Sequence, residues 1–297
     1  MKLKKLMATV LTLALAVSVT ACGGNGASES AATSEPAAST AATDGGLQTV
    51  EKGKLTIAME AQYPPFNWTQ VDDSNNAAPI KGTNTFANGY DIQMAQLVAK
   101  ELGLELQVVK LPWDSLSPAV QSGTADLVMA GMSPTAERRK TVNFSDPYYL
   151  SQLVVVVKED SPYAQAKTKE DFKDAKVTAQ VNTFHATALK QLTAAKIQDP
   201  MKDFSTMREA LKSGIIDGYV SEKVEGLSAQ NAIKGFTFVE FDEANAFETD
   251  PNDIAIAAAV KKGNDALMEA VNNALKKISD EDREALMEKA IKEQPAA

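Results

Sequence analysis

The sequence predicts an α/β protein made of two lobes that are joined by two crossing strands. Apolar strands alternate with helical segments from residue 54 onward, a pattern typical of a mostly parallel sheet with helices on both faces. Residues 153–157 are a β-branched run and residues 254–260 are another extended apolar stretch, so both are predicted to cross between the lobes. Two crossings of this kind form a hinge around a cleft.

The first 21 residues are predicted to be a signal peptide. Lysines near the start give a positive charge, residues 6–19 are apolar but too short for a stable membrane span, and small residues precede Cys22. Because Cys22 is the only cysteine and directly follows this cleavage site, the segment resembles the lipobox of bacterial lipoproteins, whose cysteine is acylated. The alternative is an ordinary secretory peptide with a chance cysteine. No disulfide within the chain is possible in either case.

Residues 22–50 are predicted to be a flexible tether, because residues 23–46 are rich in Ala, Ser, Thr and Gly and contain almost no large apolar side chain. The remaining chain is long enough for two modest lobes. The expected boundaries are residues 51–152 plus 254–297 for lobe 1 and residues 153–253 for lobe 2. The net charge of −9 argues against nucleic acid as a partner and against adhesion to anionic lipid.

The elements of lobe 1 follow from apolar periodicity and from Gly and Pro punctuation. The expected elements are a strand at 54–59, a long loop at 69–88, a helix capped by Asp91 and stopped by Gly103, a strand at 104–111, a helix from Asp114 or Ser115 to Gly123, and a strand at 127–129. Ligands of such sheets bind beyond the carboxyl ends of the strands. In this chain those ends carry residues 60–66, Trp113 and residues 130–133.

Lobe 2 is predicted to contain a strand at 176–179, a turn at 182–185 that leads into a helix, and a helix at 207–212. Its Ser213-Gly-Ile-Ile-Asp217 repeats the pattern of Ser122-Gly-Thr-Ala-Asp126 before an apolar strand. This echo is either an internal repeat or chance, since Gly-x-x-Asp is common at helix-to-strand turns. Amphipathic helices at 266–278 and 283–291 are predicted to close lobe 1.

Enzymatic chemistry finds little support in the sequence. His185 is the only histidine, and the chain has no Gly-x-Ser-x-Gly motif, His-x-x-x-His motif or Gly-rich phosphate loop. The densest carboxylates, at residues 72–73 and 280–282, fit a solvated loop and a helix start rather than a metal site. We therefore expect no catalytic residue, no metal and no cofactor.

Four residues at strand ends are candidates for binding a small molecule. The planar guanidinium of Arg138 matches both oxygens of a carboxylate, although a surface arginine on a loop is the alternative. Tyr63 and Trp113 offer flat faces that can sandwich an aliphatic or cationic side chain, although Trp113 is equally explained as a core residue. Glu222 can accept from an ammonium, or can be a surface acid at a helix start.

A series of motifs in chain order resembles the family 3 extracellular solute-binding proteins, the polar amino acid receptors of ABC importers. The likeness covers roughly residues 55–262 and is most specific from 122 to 149. The motifs are Ala61-Gln-Tyr-Pro-Pro-Phe66, Gly89-Tyr-Asp-Ile92, Ser122-Gly-x-x-Asp126, Ala130-Gly-Met-Ser133, Glu137-Arg138 and Phe144-Ser-Asp-Pro-Tyr148. The resemblance implies a type II, Venus flytrap fold and a monomeric receptor, lipid-anchored on the extracytoplasmic face through Cys22, that delivers a free amino acid to ABC permease subunits.

The resemblance also implies roles for individual residues. Arg138 matches the arginine that holds the ligand's α-carboxylate, with Ser133 beside it, and Gly131 matches the glycine whose carbonyl helps hold the α-ammonium. Glu222 stands where the family usually has an aspartate for that ammonium, and Glu60 matches an acidic position facing the distal group of the ligand. The ligand contacts implied in full are Glu60, Tyr63, Trp113, Ala130, Gly131, Ser133, Arg138, Thr183, Phe184 and Glu222.

Three departures from the family pattern stand out. Thr183 and Phe184 lie in a turn where the family prefers Gly-Thr-Thr or Gly-Thr-Gly but this chain has Asn182-Thr-Phe-His185. The insertion at 69–88 and the C-terminal segment 279–297 also differ, and neither suggests a role. Glu60 with Tyr63 and Trp113 favours a ligand with a cationic or amide side chain. The alternatives are an enzyme resembling cyclohexadienyl dehydratases on the same fold, or a ligand-sensing module acting through a separate partner.

Overall fold

The computed structural model describes residues 42–44 and 46–295, so the predicted signal peptide and Cys22 lie outside the described residues. Within these ranges the strands are β1 (Ala42–Asp44), β2 (Leu47–Thr49), β3 (Lys54–Met59), β4 (Gln62–Tyr63), β5 (Asn67–Gln70), β6 (Ala78–Pro79), β7 (Phe86–Asn88), β8 (Glu105–Lys110), β9 (Leu127–Val128), β10 (Val142–Phe144), β11 (Tyr149–Leu150), β12 (Leu153–Lys158), β13 (Lys176–Thr178), β14 (Lys196–Ile197), β15 (Gly218–Glu222), β16 (Phe236–Val239), β17 (Ala255–Ile256) and β18 (Ala259–Lys261). The α-helices are α1 (Tyr90–Leu102), α2 (Leu116–Ser122), α3 (Ala136–Arg139), α4 (Phe184–Ala188), α5 (Phe204–Ser213), α6 (Lys223–Ala232), α7 (Asp265–Leu275) and α8 (Asp280–Glu293). No helix in this part of the chain is long and apolar enough to cross a membrane.

The first large sheet has the strand order β10-β18-β9-β3-β8. Strand β3 runs parallel to β8 and β9, whereas β18 runs antiparallel to β9 and β10. Because β9 and β10 both run antiparallel to β18, four of the five strands point the same way, so the expectation of a mostly parallel sheet is confirmed and β18 is the one reversed strand of this sheet. The reason is the return crossing: the chain comes back from the second sheet in the opposite direction and inserts β18 between two strands of the first.

The second large sheet has the order β14-β13-β15-β12-β16, with β12 antiparallel to both of its neighbours. The two connections between the sheets run side by side, because β11 pairs antiparallel with β17. Alternate residues of β12 face opposite sides of the sheet, so Val154 belongs to a core shared with the first sheet and Val155 to a separate cluster. Two α/β lobes joined by paired hinge strands are the result.

Residues 62–88 form a small antiparallel sheet, β4-β5-β7-β6, where the sequence predicts a long loop. Four buried apolar side chains hold this polar segment against the first lobe: Trp68, Ala78, Ile80 and Ala87. Strands of two to four residues carry almost no periodic signal, which explains the wrong prediction.

Part of the segment expected to be a tether is folded. Strands β1 and β2 pair antiparallel, and the backbone N–H of Val50 donates to Asp126 Oδ1 at 2.6 Å. Because this bond and the contacts of β2 with β3 and α7 anchor the chain, the segment over residues 22–50 is not a tether throughout.

The sequence echo between the two lobes is a repeated structure. Both α2 and α5 end at a glycine in the left-handed conformation, with φ of 77° and 76°. Three residues later, Asp126 Oδ2 accepts from a backbone N–H of β3 at 2.7 Å, and Asp217 Oδ2 accepts from a backbone N–H of β13 at 2.8 Å. The same turn thus ties each helix to the neighbouring parallel strand of its own sheet.

The last helix contacts both lobes. Helix α8 packs against α1 of the first lobe and also against α6 of the second. Just after α8, the side-chain amide of Gln294 donates to the carbonyl of Ser228 at 3.2 Å. Besides closing the first lobe, this helix therefore also contacts the second lobe.

Candidate functional site

Nine residues from the facing edges of the two lobes surround one small cavity. They are Tyr63, Trp113, Gly131, Ser133 and Arg138 from the first lobe and Gln180, Thr183, Phe184 and His185 from the second. The cavity measures about 10 Å³, roughly the space of one water molecule. This is a closed arrangement, and an amino acid can enter it only if the lobes separate.

Arg138 spans the two lobes. Short helix α3, capped by the Thr135 side chain, presents this arginine. Its Nη1 donates to the carbonyl of Ser133 at 2.8 Å, and its Nη2 donates to the carbonyl of Asn182 in the second lobe at 3.1 Å. The guanidinium lies over the Trp113 ring, 4.9 Å from the centroid. Burial lowers the pKa of Arg138 to about 10, so the group stays charged at neutral pH.

Asn182 explains how the second-lobe turn works without the usual glycine. Its φ is 57°, in the left-handed region that asparagine tolerates better than other non-glycine residues. Its side-chain amide donates to Asp114 Oδ1 of the first lobe at 2.8 Å. Asn182, where the family prefers glycine, therefore preserves the turn and adds a contact across the cleft.

Gly131 is required by its surroundings. Its φ is 61°, and a Cβ at this position would lie 2.8 Å from Tyr63 Cε1. The neighbouring Ala130 is buried directly after β9, and the buried Ser133 Oγ has no hydrogen-bond partner among the described residues. A tight turn thus brings main chain and a free hydroxyl against the Tyr63 ring.

Asp91 fixes this turn rather than capping a helix. Helix α1 begins after Gly89, so the expectation that Asp91 is the N-cap is wrong. Asp91 is fully buried and accepts from Tyr148 Oη at 2.5 Å and from Asn67 Nδ2 at 2.8 Å. Burial raises the pKa of Asp91 to about 7, and hydrogen bonds, including one from the backbone of Gly131, oppose that rise.

Glu222 is the most deeply buried acid near the cavity, with 0% exposure. The Tyr63 hydroxyl donates to its Oε2. His185 Nε2 lies 2.9 Å from its Oε1, yet neither atom has a hydrogen bond of good geometry. Burial raises the pKa of Glu222 well above its ordinary value, and the charge of Glu225 adds to the rise. Burial, and then the charge of Arg138, lowers the pKa of His185 to about 3, so His185 is neutral at pH 7.

Glu60 lies beside the small cavity rather than in its lining. Gln180 Nε2 donates to Glu60 Oε2 at 3.2 Å, and burial raises the pKa of Glu60 to about 7. Glu60 also lines a second space of about 420 Å³, together with Trp113, Lys110 and Asp203. The Tyr63 ring stacks on Phe204 of the second lobe, with the ring centroids 4.0 Å apart, so one of its two faces is covered.

The sequence did not single out Gln180, His185 or Phe204 as site residues. His185 was noted only as a lone histidine, and Gln180 and Phe204 belong to no motif. All three reach the site from lobe 2 elements whose strands and helices are short. The pairing of residue 180 with 60 is set by lobe closure, whereas that of 185 with 222 is set by packing within lobe 2, and neither leaves a local pattern in the sequence.

The fold and the site define a two-lobe binding protein of the type II periplasmic class, with polar groups from both lobes facing one cleft. Among solved structures, a substrate-binding protein of an amino acid ABC transporter from Streptococcus pneumoniae, bound to L-arginine, has a TM-score of 0.71 and 28% identity, over 81% of this chain and 95% of that one. A "Probable histidine-binding protein" of Neisseria gonorrhoeae is 29% identical over 94% of this chain and 92% of its own length. The L-cystine-binding protein TcyJ of Escherichia coli strain K12 is 29% identical over 80% and 83%.

The family model of the bacterial extracellular solute-binding proteins, family 3, matches residues 55–293, and the chain belongs to that family. The match extends beyond the motifs to include the whole of α7 and α8.

Proposed function

We propose that the protein is the substrate-binding lipoprotein of an ABC importer. It captures a polar free amino acid between lobe 1 (residues 51–152 plus 254–297) and lobe 2 (residues 153–253) and presents the closed form to the permease subunits. Contacts with both lobes favour closure, because a ligand shifts an equilibrium by its differential affinity for the two states. We propose that the receptor acts as a monomer on the extracytoplasmic face.

The observation that supports this proposal is a pair of groups of opposite character around the small cavity. The charged guanidinium of Arg138 lines the cavity and has only carbonyl partners, at Ser133 and Asn182. The carboxyl of Glu222 lies behind two lining residues, Tyr63 and His185, and has no cation beside it, since His185 is neutral. An α-amino acid carries the two complementary charges, so one ligand can satisfy both groups.

The side chain of the ligand is proposed to point toward Glu60. This buried carboxyl has one amide donor, Gln180, and a cationic or amide group would add the missing donors. The names of similar proteins, which mention histidine, cystine and arginine, fit a polar ligand with nitrogen at or near its distal end.

A thermal-shift screen of the purified protein against the standard amino acids and L-cystine tests the function. A ligand at about 100 times its dissociation constant stabilises the folded state by about 2.7 kcal/mol. Calorimetry should then show that Arg138→Met weakens binding by about 2–5 kcal/mol, while Arg139→Met, which removes the neighbouring exposed guanidinium, has little effect. Equal affinities for the two variants would contradict the assignment of Arg138.

The lipid anchor is a separate part of the proposal and has its own test. Acylation of Cys22 predicts that the protein partitions with membranes in cells. Cys22→Ser should release it into the soluble extracytoplasmic fraction without changing its ligand affinity. Membrane association that survives this substitution would contradict the anchor.

One observation favours a second candidate, an elimination enzyme that resembles cyclohexadienyl dehydratases. Burial raises the pKa of the Glu222 carboxyl well above its ordinary value, as a general acid requires. Turnover of prephenate or arogenate by the wild-type protein, and its loss in Glu222→Gln, would favour this candidate. Amino acid binding without turnover would exclude it.

A further inference from the structure

A second buried polar cluster lies behind Glu222, outside the cavity. Arg208 Nε of α5 donates to Glu225 Oε1 of α6 at 2.9 Å, and Tyr219 Oη of β15 donates to the same oxygen at 2.9 Å. Arg208 Nη2 also donates to Ser228 Oγ at 2.7 Å. Glu225 and Ser228 have 0% exposure, Arg208 has 8%, and the ligand contacts proposed above do not involve any of them.

The cluster is connected to the ligand site through the start of helix α6. Glu222 is the N-cap of this helix and Glu225 lies three residues later, on the same first turn. The Glu222 side chain makes no cap hydrogen bond and points to Tyr63 and His185 instead. The Glu225 side chain turns the other way, to Arg208. One helical turn thus carries two buried acids, and only the second has a cation.

The charges around Glu222 show how the Arg208–Glu225 ion pair can affect the ligand site. Tyr63 from the first lobe and His185 from α4 are uncharged neighbours, and the positive charge of Arg138 acts on His185 across the cavity. After burial, the charge of Glu225, whose own pKa is raised by burial and lowered by Arg208, further raises the pKa of Glu222. A Glu225 carboxylate without a counter-charge would oppose ionisation of Glu222, because a like charge on the same helical turn raises the pKa of an acid. Burial lowers the pKa of Arg208, but Glu225 and Tyr219 together raise it above its ordinary value, so the guanidinium remains the counter-charge.

We propose that Arg208 and Glu225 are a positioning pair for the ligand site, in which the guanidinium neutralises Glu225 so that Glu222 is able to ionise when an ammonium binds. The inference rests on the proposed function, since it concerns the same carboxyl. It assigns to a pair outside the cavity the control of the charge that holds the amino end of the ligand.

The test follows the titration of Glu222 in the ligand-free protein by ¹³C carboxyl NMR, with the resonance assigned from Glu222→Gln. Arg208→Met is expected to raise the pKa of Glu222, and Glu225→Gln to lower it, each by at least about half a unit. The double variant Arg208→Met with Glu225→Gln should return close to wild type, since the pair is then uncharged. Ser228→Ala is the matched control, because it removes a hydrogen bond from the same guanidinium without changing any charge and should not shift the titration.

Calorimetric titration with L-arginine as the probe, between about pH 5 and pH 9, adds a functional readout. The pH above which affinity levels off should move with the pKa of Glu222, up in Arg208→Met and down in Glu225→Gln. A purely structural pair would lower affinity equally at every pH. A wild-type protein that binds no amino acid would refute the proposed function, while the NMR titration would still decide the role of the pair.

An unpaired buried charge can prevent folding, so Arg208→Lys provides a milder change. Its ammonium keeps the charge but lacks the fork that matches the carboxylate, so the pKa of Glu222 should rise by less than in Arg208→Met. Single-charge variants that leave the titration of Glu222 unchanged would overturn the proposal, as would a folded Arg208→Lys protein in which the pKa of Glu222 rises as far as in Arg208→Met.

Discussion

Binding of an amino acid is expected to release a proton from Glu222 at any pH below the raised pKa that this carboxyl has in the free protein. In the closed, ligand-free structure this carboxyl is fully buried, has a raised pKa and faces a neutral His185. The incoming ammonium stabilises the ionised form and lowers the pKa in the complex. The proton that the carboxyl held must therefore leave when the complex forms.

The size of the effect follows from linkage. Between the pKa of Glu222 in the complex and its pKa in the free protein, each unit of falling pH should weaken binding about tenfold, or about 1.4 kcal/mol. Above the free pKa the affinity should be constant. The sign is fixed: a raised acid pKa in the free state means that affinity is lost as pH falls.

Isothermal titration calorimetry in buffers of equal pH but different ionisation enthalpy measures the released proton directly. Glu222→Gln should bind more weakly by about 2–5 kcal/mol and release no proton from this site. Glu60 titrates near pH 7, so the same titration in Glu60→Gln separates its contribution. Buffer-independent heats together with a flat pH profile in the wild type would refute the reasoning about Glu222.

Three further predictions concern the turns and the distal acid. Gly131→Ala should destabilise the folded protein by about 1–3 kcal/mol in thermal unfolding, because the left-handed φ and the Tyr63 ring both oppose a Cβ; an unchanged midpoint would contradict this. Asn182→Gly should cost only about 0.5–1.5 kcal/mol through the lost bond to Asp114, whereas Asn182→Val should cost more through backbone strain; equal losses would argue against the strain. Folded Glu60 holds its proton up to about pH 7, so its contribution to stability falls as pH rises from about 4.5; Glu60→Gln should therefore be more stable than wild type at about pH 8 and not at about pH 4 in denaturant titrations, and the same difference at both pH values would contradict the shift.

The sequence predicted most of the long elements because their signals are local. Strand β3 was predicted with its observed bounds, and the left-handed glycines that end α1 and α2 were recognised from their position after apolar helical runs. The binding candidates at strand ends also came together, since Arg138, Tyr63 and Trp113 line one cavity. This expectation used only the rule that ligands of such sheets bind beyond the carboxyl ends of the strands, and no distances.

What the sequence could not predict depends on contacts between distant parts of the chain. The raised pKa of Glu222 arises mainly from burial against Tyr63 of the other lobe and His185, whose positions in the sequence carry no such information. Similarly, Asn182 was treated as a departure from a glycine pattern, and its left-handed φ becomes visible only in three dimensions. The contact of Gln294 with Ser228 joins the two lobes through residues that are far apart in the sequence, and such a contact leaves no periodic pattern.

The most direct test of the central claim compares the amino acid that binds with its decarboxylated amine, in wild type and in Arg138→Met, by calorimetry. If Arg138 holds the α-carboxylate, wild type should prefer the amino acid by more than about tenfold, or about 1.4 kcal/mol, and Arg138→Met should lose most of that preference. A preference that persists undiminished in Arg138→Met would contradict the account, because the carboxylate would then be held elsewhere.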